Sequence, residues 1–181
     1  MKRISILGWL MALVVTSPGC LAALFGGVNP LAVVRTVQSL MELRGLSQDE
    51  LIERLSFTPE ALLENAVYGR LEGLTRLYDA AKHPAQFFYQ GQELAMAVIE
   101  DPSALAGITA RALTDHLGAP PLELPTALGE AARLAVYPST GLAFAFTDPA
   151  APVGRLEVFP ETTPAGYEAT VWRAPAVPDT P

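Results

Sequence analysis

Apolar residues recur at three- and four-residue intervals through the first two thirds of the chain, and at every second position after that. The first period predicts helices. Asn29-Pro30 opens one as N-cap and first-turn proline; Val33, Val34, Val37, Leu40 and Met41 form its stripe and Gly45 stops it. Ser47-Gln48-Asp49-Glu50 is a capping box for a short helix over 48–55. Thr58-Pro59-Glu60 starts a third and longest helix reaching about Lys82, with Leu63, Val67, Leu71, Leu74, Leu77, Tyr78 and Ala81 as its apolar side. Pro84 begins a fourth, burying Phe87, Phe88, Leu94, Ala95, Val98 and Ile99, and Asp101-Pro102 begins a fifth that Gly118 ends.

Beyond Pro120-Pro121 the period shortens. Pro125–Glu130 makes a turn or two of helix; 133–137, 142–146 and 155–159 alternate as strands, separated by Pro138-Ser139-Thr140-Gly141 and by 147–152. Leu142, Phe144 and Phe146 give the middle strand a large-residue face, and Ala143 and Ala145 a flat one, so a helix is expected on the former. Thr163-Pro164 starts a last short helix running through Trp172. The expected fold class is α+β. A mainly helical N-terminal region (21–118) precedes a module (119–172) holding a small antiparallel three-stranded sheet and one or two short helices. Residues 1–20 form a leader or anchor, and 173–181, with Pro175, Pro178 and Pro181, a disordered tail.

The start of the chain changes the picture most. Lys2-Arg3 precede an apolar run from Ile4 to Val15, then Thr16-Ser17-Pro18-Gly19-Cys20. This stretch resembles a bacterial lipoprotein-type export signal, in which the residue matching Cys20 is lipidated after cleavage. Ser17 and Pro18 depart from the family pattern, which places Leu and then Ala or Ser there. Two other readings stay open. One is an ordinary secretory signal cut near Ala22 or Ala23; the other is an uncleaved anchor, because no charge intervenes between Arg3 and Arg35 and a span needs roughly 20 residues. All three place the body of the protein outside the cytoplasm, at the periplasmic or outer face of a bacterial membrane.

Half of the 181 residues are apolar and 17% are charged, enough for a packed core. The net charge of −7 becomes more negative if Lys2 and Arg3 are removed, and such a surface repels phosphate backbones. No nucleic-acid partner is expected. One Cys excludes an intramolecular disulfide, and with two His it provides no Cys/His zinc set, so no cofactor or metal is expected.

Residues 43–55 resemble the first half of the helix-turn-helix of phage-repressor-type regulators, which would place Gln48 on DNA. Glu60 and Glu64 then stand where donors to phosphate are needed, and the capping-box reading is preferred. Residues 118–159, with Leu128-Gly129 ahead of strands, are similar to small modules of envelope lipoproteins of the outer-membrane assembly class. Asp79 and His83 are four apart, a spacing in which a carboxylate orients an imidazole, but no nucleophile stands beside them. Tyr89, on the face of its helix opposite Phe87 and Phe88, joins Asp79 and His83 as a possible binding surface.

The expectation is an exported, membrane-tethered envelope protein, held to the membrane by its N-terminal segment, that binds or scaffolds an envelope partner. The alternatives are an envelope hydrolase using helix-borne carboxylates such as Glu93, Glu100 and Asp101, and a helix-turn-helix regulator.

Overall fold

The computed structural model describes residues 38–39, 41–58, 61–79, 83–126 and 131–172, so the expected export segment with Cys20 and the expected helix start at Asn29-Pro30 lie outside the described residues. The fold is one eight-stranded antiparallel sheet, which corrects the expected helical region followed by a three-stranded sheet. Strands β1 (Leu62–Tyr68), β2 (Leu71–Tyr78), β3 (Ala85–Gln90) and β4 (Glu93–Ile99) form a meander where two long helices were predicted. Strands β5 (Leu122–Pro125), β6 (Arg133–Tyr137), β7 (Leu142–Phe146) and β8 (Arg155–Val158) form a second. The last strands of the two meanders, β4 and β8, pair antiparallel in the middle, giving the order β1-β2-β3-β4-β8-β7-β6-β5.

Helices cover both faces. On one side α1 (Gln48–Leu55), α2 (Pro102–Leu105) and α3 (Ala110–Leu117) pack Leu51, Leu55, Leu105 and Leu113 onto Leu77, Phe87, Ile99, Phe144 and Leu156. On the other, α4 (Pro164–Thr170) lays Tyr167, followed by Val171, over Leu74, Phe88, Met96, Val136, Ala143, Ala145 and Phe159. The large-residue face of β7 does carry helices, and the flat alanine face carries one as well.

Burial on both faces explains the misread period. A sheet wetted on one side alternates apolar and polar residues, whereas a sheet covered on both sides is apolar at odd and even positions alike. Leu74 and Leu77, three apart, therefore fit a helical stripe, yet they belong to opposite cores. The local signals that survive are helix starts with a side-chain cap. Ser47 and Glu50 close their capping box on α1, Asp101 caps α2 through Ser103 N and Ala104 N, and Thr163 caps α4 through Gly166 N. The expected fifth helix breaks at Ala106, and Thr109 caps its second part, α3. After α1 the chain enters β1 rather than a recognition helix, so the helix-turn-helix likeness ends with its first half.

Two contacts tie α4 to the outer hairpins. Arg70 N donates to Val171 O at 3.0 Å, and Trp172 Nε1 donates to Pro125 O at 3.2 Å. The first requires the β1–β2 turn to lie against the backbone. Gly69 sits there at φ +58, and a Cβ at this position would run into the Val171 carbonyl oxygen. Gly69→Ala is expected to cost about 2 kcal/mol or more, lowering Tm by about 5 °C or more in thermal unfolding. Gly91, at φ +64 with nothing within 4 Å, is the control: its alanine variant carries the dihedral strain alone, about 1 kcal/mol.

Candidate functional site

Tyr89, Asp79 and His83 do not assemble into a surface. Tyr89 is fully buried at 0% exposure, on the α1 side of the sheet. Its hydroxyl has no hydrogen-bond partner among the described residues. Burial, and then the charge of Glu50, push its pKa up. Asp79 is 4% exposed and its Oδ2 accepts from Thr58 N at 2.8 Å, fixing the α1–β1 connection. His83 N donates to Asp79 O at 2.8 Å, and His83 Nε2 donates to Leu55 O at 2.9 Å, capping the last turn of α1. The Phe57 ring lies 4.8 Å from the imidazole. The pair is thus brought together, at the start of β3, as a brace between two loops.

The carboxylates offered for hydrolysis separate. Glu93 lies at the far end of the β3–β4 hairpin, Glu100 binds Arg155, and Asp101 is spent on its cap. Among the described residues, no three His, Cys, Asp or Glu side chains gather to hold a metal ion, and no helix is long and apolar enough to cross a membrane.

A polar cluster that alternation had hidden lies under α4. Glu157 on the central strand β8 is 2% exposed and faces the α4 side, next to Ala143 and Val98 on the neighbouring strands. Its Oε1 accepts from Tyr68 Oη and its Oε2 from Tyr167 Oη, each at 2.7 Å. Arg155 Nη1 stands 3.7 Å from the same carboxylate while its Nε donates to Glu100 at 2.7 Å. Burial, and then the Glu157 charge, raise both tyrosine pKa values. The Tyr68 ring packs against Phe88 at 5.2 Å and the Tyr167 ring against Phe159 at 4.9 Å. With both carboxylate oxygens bonded and no solvent access, the cluster joins β1, β8 and α4 and leaves no space for a substrate. The one signal for it in the sequence is a lone acid sharing a strand face with Phe159.

Two features do meet solvent. An open cleft of about 250 Å³ lies between the tip of the β3–β4 hairpin and the ends of α4, with Leu71, Leu94 and Phe159 as floor and Gln90, Glu93 and Thr162 at the rim. It holds hydrogen-bonding groups but no base set beside a nucleophile.

The second is the outer edge of β1. Leu63 and Val67 are 54% and 57% exposed, the only large hydrophobic residues so exposed among those described. Leu63 stands opposite Leu77, so it points to the α1 side of the sheet, and Val67, four residues along the same regular strand, shares that face. The strand runs seven residues without proline, and its one charge, Glu64, is paired with Arg76. The register irregularity falls on β2, where Gly73 and Glu72 fill the step opposite Ala66–Tyr68, so β1 itself stays regular. The opposite edge is blunted: β5 has four residues, ends in Pro125 and is clasped by Trp172. The helical spacing over 58–82 gives no sign of this edge, because a strand edge has meaning only once the sheet is known.

Comparison with protein-family models, with curated proteins and with solved structures finds no match to this chain.

Proposed function

We propose that the chain is an exported, membrane-tethered protein of a bacterial envelope that acts by binding or scaffolding, with β1 as its contact edge. The observation that carries the binding reading is a long, regular edge strand exposing Leu63 and Val67 beside a blunted second edge. Exposed edges of this kind template pairing with another strand, and soluble proteins usually protect them. The tether rests on the residue pattern of Met1–Cys20.

Mass spectrometry of the mature N-terminus from host membranes tests the tether. Diacylglyceryl-modified Cys20 is the expected result, and an unmodified secreted form would sink it. A photo-crosslinking residue at Val67 of the membrane-bound chain tests the edge. It is expected to give a discrete adduct that the same residue at exposed Arg111 on α3 does not; equal labelling at both positions removes the edge as a contact.

A further inference from the structure

We propose that the partner of β1 is β1 of a second copy, paired antiparallel about a dyad through Asn65. This rests on reading β1 as the contact edge and names its occupant. A two-fold contact must be self-complementary, since each residue meets its counterpart on the other copy. With Asn65 opposite Asn65, Leu63 of each copy stands opposite Val67 of the other, and both apolar positions lie on the same face. Glu64 stands opposite Ala66 and keeps its own Arg76, so two chains of net charge −7 meet without opposed carboxylates.

Neighbouring registers are worse. Centring the dyad on Glu64 sets the two acids face to face, and centring it on Ala66 puts Leu63 against the Gly69 turn. The chain already uses the same join internally, because β4 and β8, the last strands of the two meanders, meet antiparallel at its centre. The clasped β5 edge offers no second site, so pairing closes at two copies instead of extending into a fibre.

The test uses the full chain, extracted from membranes in mild detergent. Light scattering should give a dimer, and Leu63→Lys should raise its dissociation constant at least about tenfold with an unchanged far-ultraviolet circular dichroism spectrum, since Leu63 is 54% exposed. Leu63→Lys combined with Val67→Glu should restore the dimer, because each new lysine faces the new glutamate of the other copy. Asn65→Cys should form a covalent dimer on mild oxidation, while the parent, with Cys20 alone, should not. A monomer at all concentrations overturns the proposal, as does a dimer that neither responds to Leu63→Lys nor crosslinks through position 65. If the parent is monomeric but the Val67 crosslinker captures a different envelope protein, the self-pairing fails and the contact edge stands.

Discussion

Glu157→Ala is expected to lower the stability of the fold by about 3–5 kcal/mol, a large share of the roughly 5–15 kcal/mol available to a domain. Two buried tyrosine hydroxyls, on Tyr68 and Tyr167, lose their acceptor, and Arg155 loses one of its two carboxylates. Each orphaned donor carries a desolvation penalty that the wild-type bond offsets. Two further variants separate this cause from simple cavity formation. Glu157→Gln keeps an acceptor for one hydroxyl and offers a donor to the other, so it should cost less, about 1–2 kcal/mol. Adding Tyr68→Phe and Tyr167→Phe to Glu157→Ala removes the orphaned groups and should recover part of the loss. Urea unfolding midpoints at constant slope measure all three. A loss under about 1 kcal/mol for Glu157→Ala would show that the cluster does not hold β1, β8 and α4 together.

The second large effect is alkaline unfolding. Tyr167 and Tyr89 are 1% and 0% exposed, and burial raises the pKa of each in the folded state above the value of about 10 for a free tyrosine. The folded chain therefore keeps protons that the unfolded chain releases. Their contribution is complete below pH 10 and is lost as pH rises toward the folded values, because above pH 10 the unfolded state binds fewer protons. Tyr68, in the same cluster as Tyr167, is raised by the same causes, so three such groups give a slope of about −4.1 kcal/mol per pH unit. The fold should thus hold its stability up to about pH 10 and then collapse within about one to four units, as followed by circular dichroism. Tyr167→Phe should lower the slope by about a third. A stability that stays flat to pH 12 would mean that these hydroxyls are reached by water and ionise in place.

The parts of this fold that could be read from sequence are those set by neighbours a few residues apart. The capping box at Ser47 and Glu50, the caps at Asp101 and Thr163, and strands β6, β7 and β8 all lie where their residues place them. The error lay in what those strands belong to, which β4 decides from more than fifty positions away in sequence. The first meander is hidden because Leu71, Leu74 and Leu77 feed two cores, and the apolar spacing then carries no phase. Two clues were there: Gly69-Arg70 and Gly91-Gln92 each sit between β-favouring stretches, at the two-residue spacing of a hairpin turn. The Phe87-Phe88-Tyr89 run also favours strand over helix. The Tyr68–Glu157–Tyr167 cluster could not be read at all. Its members are brought together by strand order, and strand order is not written in local pattern.

That order also bears on how the chain is made. The strand at the heart of the sheet is β8, wedged between β4 and β7, and it is the last of the eight described strands to be synthesised. The first meander can form its hairpins as it emerges, yet the seam that unites the two halves must wait until β8 has emerged. A polypeptide threaded across a membrane has to stay open until it is through. Under the export proposed above, the lateness of the central strand would provide the delay.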